Sequence, residues 1–471
     1  MAEESQVLYA AHEKVYPQGV RGFFRRMKWA ILIVAYAVYF LLPYVPWGDR
    51  DAFLFDIPGR QFFLLGLRVA PEDIIWLSFL LFIAAVALFF VTSLAGRVFC
   101  GYFCFQTLWA DVYLKIEEWV EGGRSRRIRL DKQPLGGRKA AKKIVKHVLW
   151  LAVAGLTGVT FTLYFADTGW LWRAFLTGQA PAAANFTAGL LTATTYTMAG
   201  WAREQVCTYM CPYARFQGAM FDDDTLIVAY DFNRGERSEG RQPPRRGETH
   251  EERVARGGGD CIDCGFCVKV CPTGIDIREG QQYQCITCGL CIDACNTIMD
   301  SQGFPRGLIR YTSENELEGG RLHLIRTKTV AYAAIMVAAI GVLGYSIATQ
   351  SLMDLNVYKV RNPSYILEKD GRIKNVYEIR VNNKAQEPHR YRVSLHGLPA
   401  AEYRFQGGFD QFRVEQGENL TVKAYVWVEP DRMEQSRTRF IFRAELIDGG
   451  SGREAEQREA TATFFVPERY L

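Results

Sequence analysis

Cysteine is the residue type of this 471-residue chain whose spacing points most directly to chemistry. All twelve cysteines lie between Cys100 and Cys295, and eight of them lie between Cys261 and Cys295. Within that window the run Cys-x-x-Cys-x-x-Cys-x-x-x-Cys begins at Cys261 and begins again at Cys285. Clustered Cys-x-x-Cys runs are typical of metal ligands, whereas a disulfide scaffold distributes its cysteines along a short secreted chain.

The doubled run has the spacing of a dicluster ferredoxin. A tight loop directs three thiolates at one cubane, and the fourth cysteine, on the next element, reaches the other cubane. Zinc sites use two Cys-x-x-Cys knuckles or mixtures of cysteine and histidine, so a pair of zinc sites is the weaker interpretation. The sequence therefore predicts two [4Fe–4S] clusters as cofactors. The predicted ligands are Cys261, Cys264, Cys267 and Cys295 for the first cluster, and Cys285, Cys288, Cys291 and Cys271 for the second.

The other four cysteines form two Cys-x-x-x-Cys pairs, Cys100 with Cys104 and Cys207 with Cys211. Residues four apart share one face of a helix, so we expect each pair to present its two thiols together. If the two helices are neighbours, four thiols converge on one site. Thiolates suit Cu(I), zinc or iron–sulfur iron, so the four cysteines are candidate ligands of copper or of a third metal or cluster. Redox dithiols and plain buried cysteine are the alternatives.

Five apolar stretches are long enough to cross the roughly 30 Å hydrocarbon core of a membrane. They predict a multi-domain membrane protein with a five-helix α-helical transmembrane bundle. The fourth stretch, rich in Thr and Ala, is the weakest, and a buried soluble helix is the alternative for each. The predicted spans are 29–47, 74–95, 147–166, 182–201 and 329–348, with the first four inside a membrane region of residues 29–220.

The distribution of Lys and Arg predicts the orientation of these spans. Basic residues precede the first span and crowd the loop Arg124–Lys146. We therefore expect a cytoplasmic N-terminus (1–28) and a cytoplasmic segment 221–328, which carries the ferredoxin-like insert at 259–300. The net charge of +5 gives little support to nucleic-acid binding. The basic loop is instead expected to lie beside anionic membrane lipid.

Residues 350–471 follow the last span and contain no cysteine. Apolar residues alternate with polar ones in several short segments, and turn signals such as Asp370-Gly371 separate these segments. This pattern predicts an all-β immunoglobulin-like sandwich, placed in the periplasm by the orientation of the spans. The alternating sets are Tyr377, Ile379, Val381; Tyr391, Val393, Leu395; Leu420, Val422, Ala424, Val426, Val428; Phe440, Phe442, Ala444, Leu446; and Ala462, Phe464, Val466.

Taken together, these motifs resemble those of the cytochrome c oxidase accessory proteins, the CcoG/FixG/RdxA family. The resemblance is carried by Phe99–Trp109, Arg203–Gln217 and Gly259–Asp300, and it covers nearly the whole chain. In the first of these segments Phe105 stands where the family has proline. The resemblance implies a multi-pass protein of the bacterial inner membrane with cytoplasmic clusters and an outer immunoglobulin-like domain. It also implies a role in assembling cbb-type oxidase by reducing Cu(II) to Cu(I).

The combined interpretation is a transmembrane electron-transfer protein with cupric reductase activity, in which Cys100, Cys104, Cys207 and Cys211 are the catalytic residues. Its expected partners are membrane lipid, copper ions, copper-delivery and cbb-type oxidase assembly proteins, and an electron donor that the sequence does not identify. A homodimer is compatible with the sequence. Two other functions stay open: a quinol-linked electron conduit to a periplasmic acceptor, and a non-catalytic scaffold for oxidase assembly.

Overall fold

The computed structural model describes residues 14–48, 50–69, 73–349, 353–384, 388–415, 418–433, 435–447 and 457–470. The chain divides into two compact units. One unit comprises residues 1–65 and 69–343, and the other comprises 66–68 and 344–471. The predicted N-terminal segment 1–28 lies partly outside the described residues. All twelve cysteines belong to the first unit.

Helices dominate the first unit, because its apolar residues recur with helical spacing or in long unbroken runs. In chain order the α-helices are α1 (Phe23–Leu41), α2 (Ile74–Ala95), α3 (Val98–Tyr102), α4 (Phe105–Glu121), α5 (Arg124–Lys132), α6 (Gly137–Leu163), α7 (Thr168–Thr177), α8 (Ala182–Thr195), α9 (Pro212–Ala219), α10 (Phe232–Gly235), α11 (His250–Ala255), α12 (Phe266–Val270), α13 (Leu290–Gln302), α14 (Glu314–Leu317) and α15 (Thr327–Ala348). Two π-helical segments, Tyr196–Ala202 and Val206–Met210, lie between α8 and α9.

The strands are short in the first unit and longer in the second. In chain order they are β1 (Pro46–Trp47), β2 (Arg50–Asp51), β3 (Phe53–Asp56), β4 (Gln61–Leu64), β5 (Leu67–Val69), β6 (Ile227–Tyr230), β7 (Ile309–Thr312), β8 (Met353–Lys359), β9 (Ile366–Leu367), β10 (Ile373–Asn383), β11 (His389–His396), β12 (Glu402–Phe405), β13 (Gln411–Val414), β14 (Asn419–Val428), β15 (Arg437–Leu446) and β16 (Gln457–Phe465).

Among the described residues, four helices are long and apolar enough to cross a membrane: Phe23–Tyr44, Ile74–Ala95, Gly137–Leu163 and Thr327–Ala348. The second of them has the bounds of the predicted span 74–95. The predicted span 182–201 is helical but is not among the four. Its α-helical part, α8, has only 14 residues, and a spanning α-helix needs about 20. The five-span topology therefore stays a prediction.

The basic stretch Arg124–Lys146, expected to be a loop, is mostly helical. Its first part forms α5, and α6 begins well before the predicted third span. The reason is charge pairing. Lys143 lies 2.8 Å from Glu121, and Lys146 lies 3.3 Å from Glu117, so the lysines at the start of α6 are neutralised against α4. The loop prediction was wrong because it treated these lysines as solvated.

One hydrophobic core of the first unit lies where α1, α4 and α6 meet. The Trp109 indole donates a hydrogen bond of 2.9 Å to the Thr157 hydroxyl, and the Tyr113 hydroxyl donates one of 2.8 Å to the Trp150 carbonyl. On the next face of α6, a Cβ added to Gly158 would lie 2.3 Å from a carbonyl oxygen of α8. Glycine at that position therefore permits α6 and α8 to pack backbone to backbone.

The ferredoxin segment repeats its backbone conformation as well as its sequence. Strands β6 and β7 pair antiparallel and flank it, and α12 and α13 contact each other. Gly265 and Gly289, which precede α12 and α13, are both left-handed, with φ of 63° and 70°. Asp263 and Thr287 are left-handed as well, with φ of 56° and 53°. The two cysteine loops therefore follow the same path into the helix that comes next.

The second unit is a β-sandwich of two antiparallel sheets. One sheet has the order β12-β14-β10-β8, with β9 paired to β10, and the other has the order β13-β11-β15-β16. The residues expected to alternate into the core do so. Ala424, Phe442 and Phe464 are completely buried, while their neighbours along each strand are more exposed. The sequence-based prediction of this sandwich is confirmed.

Candidate metal centre

The structure brings Cys295 of α13 to the loop that carries Cys261, Cys264 and Cys267. Burial raises the pKa of the Cys295 thiol to about 12, and the neighbouring thiols of Cys267, Cys261 and Cys264 act in the same direction. Four thiols from two elements therefore share one electrostatic environment. This is the set expected to hold the first cluster.

A second group of thiols forms around Cys291. Burial raises the pKa of Cys291 well above its usual range, and the thiols of Cys288, Cys285 and Cys271 add to the effect. The same four cysteines, together with Cys267 of the first group, line a small cavity. The fourth member, Cys271, comes from the end of the first run. The grouping therefore has the crossed connectivity predicted for a dicluster ferredoxin.

Backbone N–H groups of the loops and of β7 are directed at several of these sulfurs. The N–H···S pairs are Val268 to Cys267, Thr287 to Cys285, Leu290 to Cys288 and Ile309 to Cys295. Such donors stabilise anionic thiolates and set the potential of iron–sulfur clusters. Two groups of four thiols with N–H donors on the sulfurs fit two cubane clusters. The assignment of individual ligands stays a prediction.

We call Cys100, Cys104, Cys207 and Cys211 the junction cysteines, because each pair straddles a junction between two helical segments. Cys100 lies in α3, whereas Cys104 precedes α4 with extended backbone angles, φ −66° and ψ 128°. Cys207 lies in the π-helical segment Val206–Met210, whereas Cys211 precedes α9 with φ −83° and ψ 110°. The expectation that each pair shares one helix face was therefore wrong.

Proline explains this geometry in one pair but not in the other. Pro212 occupies the first position of α9, and a residue that precedes proline is forced out of the helical region. Phe105 occupies the equivalent position of α4, yet Cys104 before it is extended in the same way. The substitution of phenylalanine for proline therefore leaves the local conformation of the first pair unchanged.

The four junction cysteines are neighbours in space. Burial raises the pKa of the Cys207 thiol to about 12, and the thiols of Cys104, Cys100 and Cys211 contribute to the rise. Across the described residues, however, no three His, Cys, Asp or Glu side chains converge closely enough to hold a single metal ion. A four-iron cluster separates its ligands more widely than one ion does. The junction cysteines are thus grouped, but more loosely than the ligands of a mononuclear centre.

Polar side chains that the sequence analysis did not single out surround Cys100. Its Sγ lies 3.0 Å from the side-chain oxygen of Gln217, which is completely buried. The Gln217 amide donates to the Thr92 hydroxyl at 3.2 Å, and the Thr107 hydroxyl donates to the Cys100 carbonyl at 2.6 Å. These contacts fix the position of Cys100. No local spacing in the sequence predicts the contact with Gln217, which lies 117 residues from Cys100 along the chain.

The loop of the second cysteine group packs directly against the first junction pair. A Cβ added to Gly101 would lie 2.6 Å from the Ile286 carbonyl oxygen and 3.0 Å from the Cys288 Cα. The Tyr102 hydroxyl donates a hydrogen bond of 2.8 Å to the Cys288 carbonyl. Cys100 and Cys288 belong to one buried apolar cluster. The junction cysteines and the second group are therefore in contact through backbone.

A buried charge network lies beside Cys207. The carboxylate of Glu117, which is 1% exposed, lies 2.7 Å from Arg203, 3.2 Å from Arg127 and 3.3 Å from Lys146. Burial alone would raise the pKa of Glu117, but Arg203 and the other cations outweigh it and lower that pKa to about 2. Arg203 has a left-handed backbone, with φ 37°. The network therefore holds Arg203 in a strained conformation four residues before Cys207.

Family models match three parts of the chain. A model described as a 4Fe-4S dicluster domain matches residues 202–314, and one described as a 4Fe-4S binding domain matches residues 77–127. A third, of the IG-like fold at the C-terminal of FixG, matches residues 343–467. The two 4Fe-4S models together include all twelve cysteines.

Three curated proteins are similar over most of their length. Nitrogen fixation protein FixG of Rhizobium meliloti is 36% identical over 90% of this chain and 86% of its own. Protein RdxA of Cereibacter sphaeroides is 42% identical over 86% of both chains. Protein RdxB of the same organism is 42% identical over 83% of this chain and 84% of its own.

The chain belongs to the FixG/RdxA family. The resemblance drawn from its motifs is thereby confirmed. As a FixG/RdxA-family protein with two matched 4Fe-4S regions, it is an iron–sulfur redox protein with an immunoglobulin-like C-terminal domain. Its apolar helices indicate association with a membrane.

Proposed function

We propose that this protein delivers electrons to the junction cysteines and there reduces Cu(II) to Cu(I) for the assembly of cbb-type cytochrome c oxidase. When bound, [4Fe–4S] clusters supply one-electron transfer, and one electron converts one Cu(II) ion to Cu(I). The observation that carries the proposal is the backbone contact between Gly101 and the loop around Cys288. That contact supports the proposal, because the loop that would hold the second cluster packs against the pair that would receive copper.

The residues around Cys100 suit a thiolate that binds a soft metal. A thiolate has no proton to donate, so Gln217 would turn its amide N–H₂ toward the Cys100 sulfur; the two ends of a glutamine amide have nearly the same shape. Burial of Cys100 excludes water from one side of the site. Soft thiolate ligands favour Cu(I) over Cu(II), which drives the reduction in the required direction.

The proposal includes a location and partners. The chain would lie in the bacterial inner membrane, with residues 1–28 and 221–328 in the cytoplasm and residues 350–471 in the periplasm. A cytoplasmic donor would supply electrons, and copper-delivery and oxidase assembly proteins would take up the product. The basic residues at the start of α1 and along α5 support this orientation.

Single and double cysteine variants test the shared site. We expect Cys104→Ala and Cys211→Ala each to impair Cu(II) reduction strongly, with the double variant scarcely worse, because residues that act as one unit are non-additive. Each variant should keep the iron content of the eight ferredoxin cysteines, which lie on other elements. The assay is anaerobic Cu(II) reduction by the purified full-length protein, with iron and copper analysis in parallel.

The other outcomes are equally informative. Independent, additive losses would show that the two pairs act as separate dithiols. Full activity in both single variants would contradict the proposed site and favour a non-catalytic assembly scaffold. Zinc with little iron in the wild-type protein would contradict the cluster assignment itself.

A second candidate function is a quinol-linked electron conduit, and one cavity favours it. The cavity has a volume of about 400 Å³, within the size range of small-ligand sites. Its lining combines the rings of His147, Trp150 and Trp201 with charged side chains such as Lys146 and Arg203. The His147 and Trp201 rings are stacked, at an interplanar angle of 17°. Saturable binding of a ubiquinone analogue, abolished by Trp201→Ala, would favour the conduit over copper reduction.

A further inference from the structure

Arg97, in the turn between α2 and α3, is a buried cation without a carboxylate partner. It is 2% exposed, and no Asp or Glu among the described residues lies within ion-pair distance of it. The other buried cations each have such a partner. The pairs are Lys28 with Asp111 (2.9 Å), Arg127 with Glu117 (3.2 Å), Lys146 with Glu117 (3.3 Å), Arg203 with Glu117 (2.7 Å) and Arg253 with Glu248 (3.3 Å). An uncompensated buried charge is strongly unfavourable, so Arg97 requires a source of negative charge other than a carboxylate.

Thiols surround Arg97. Its Nη1 donates a hydrogen bond to the Tyr283 carbonyl, while its Nε has no hydrogen-bond partner among the described residues. Burial raises the pKa of the Cys100 thiol, and Arg97 opposes that rise through its charge and a hydrogen bond. Its charge acts in the same way on Cys207 and Cys285. The guanidinium thus lies between the junction cysteines and the loop of the second cysteine group.

We propose that Arg97 is a counter-ion shared by the second predicted cluster and the junction cysteines, and that its positive charge raises the reduction potential of that cluster. The inference rests on the proposed function, because it takes the thiols at both places to be metal-bound thiolates. A fixed positive charge stabilises the more negative, reduced state of a cluster. Arg97 is a positioning residue in this scheme, since it acts through the ligands and does not contact copper.

Arg278 provides a matched comparison at the first cysteine group. Its charge acts on Cys267, where it opposes the rise in pKa that burial causes. Its guanidinium, however, lies 2.6 Å from Asp276 and 2.5 Å from Asp263. Two carboxylates therefore oppose the effect of Arg278 on the first group, whereas no described carboxylate lies within ion-pair distance of Arg97. We expect removal of the Arg278 charge to lower the potential of the first cluster and to leave that of the second at its wild-type value.

The test is a redox titration of the anaerobically purified full-length protein in detergent, followed by electron paramagnetic resonance (EPR). In Arg97→Gln the midpoint potential of one cluster signal should fall while the other stays at its wild-type value. Arg97→Lys keeps the charge and should restore most of the shift. Arg278→Gln should lower the midpoint of the other signal and leave the signal that Arg97→Gln lowers at its wild-type value. Iron content, measured on each variant, shows that the clusters compared are fully loaded.

The outcomes separate this inference from the proposed function. Unchanged midpoints in Arg97→Gln at full iron content would overturn the inference. Loss of one cluster from both Arg97→Gln and Arg97→Lys would also overturn it, because the lysine variant retains the charge and only the shape of arginine would then matter. Wild-type protein without cluster signals would overturn the proposed function, and the role of Arg97 with it.

Discussion

Replacement of Glu117 by glutamine should destabilise the first unit by about 3 kcal/mol at neutral pH. The side chain keeps its shape and one of its two acceptor oxygens, so the variant removes the charge and replaces the other oxygen with an amide N–H₂ group. Its pKa is lowered from 4.5 to about 2, which corresponds to about 3 kcal/mol at about 1.4 kcal/mol per pH unit. Loss of one partner from a buried ion pair costs about 3–5 kcal/mol, so two independent estimates agree.

The measurement is chemical denaturation of the full-length protein in detergent micelles, followed by tryptophan fluorescence. Trp150, one of ten tryptophans in the chain, lies within cation–π distance of Lys146 and of Arg203, two partners of Glu117, so part of the emission change comes from the network itself. The control is Glu118→Gln on the same helix. Glu118 pairs with exposed Lys115, and such surface pairs contribute less than about 1 kcal/mol.

The pH dependence identifies the group responsible. A carboxyl group whose pKa is lowered on folding stabilises the protein fully above its unfolded pKa, and that stabilisation is lost as the pH falls through its folded pKa. The difference between wild type and Glu117→Gln should therefore be flat from about pH 8 to pH 6 and should shrink below about pH 5. Equal stability of the two proteins at pH 7, or a difference that shrinks between pH 8 and pH 6, would refute this account of the network.

Three further predictions follow from close contacts and from charge. Gly158→Ala should separate α6 from α8 and lower stability by about 1–3 kcal/mol in the same denaturation assay, whereas Gly155→Ala on the same helix meets nothing within 4 Å and should be tolerated. Gly101→Ala should displace α3 from the loop around Cys288 and slow Cu(II) reduction at unchanged expression. Its control is Gly123→Ala, because a Cβ at Gly123 also has no neighbour within 4 Å. Equal rates in the two variants would contradict the proposed electron path. A reporter active only in the periplasm should be active when fused to the C-terminus, and activity after Lys146 instead would reverse the proposed topology.

Features set by local spacing were predicted well from the sequence. The cysteine runs determine which thiols face one another because each loop is short, so the groups around Cys291 and Cys295 could be derived before the structure. The sandwich core could be derived because strand residues alternate strictly between two faces. Phe440 of β15 lies opposite Ala462 of β16, and both belong to the sets that were expected to face the core.

Features that depend on contacts distant in sequence were missed. Every fourth residue of one face of α4 is aromatic or acidic: Trp109, Tyr113, Glu117 and Glu121. Two carboxylates on an otherwise aromatic face indicate buried ion pairs, and this could have been inferred from the sequence. Their partners on α5, on α6 and in the turn between the two π-helical segments could not be identified from spacing. The geometry of the junction cysteines was missed because local spacing was given too much weight. A spacing of four residues was taken to indicate one continuous helix, although two helical segments meet within each pair.

The N-terminus of α1 depends on a cap that the ribosome makes much later. The first N–H groups of a helix need acceptors from outside it. For α1 these are the carboxylate oxygens of Asp293, which accept from the backbone of Phe24 and Arg25 at 3.2 and 2.8 Å. Phe24 and Asp293 are 269 residues apart, a delay of roughly 13–54 s at about 5–20 residues per second. The first helix is therefore synthesised well before its cap. Until α13 docks, the N–H groups of Phe24 and Arg25 must donate to water instead of to Asp293.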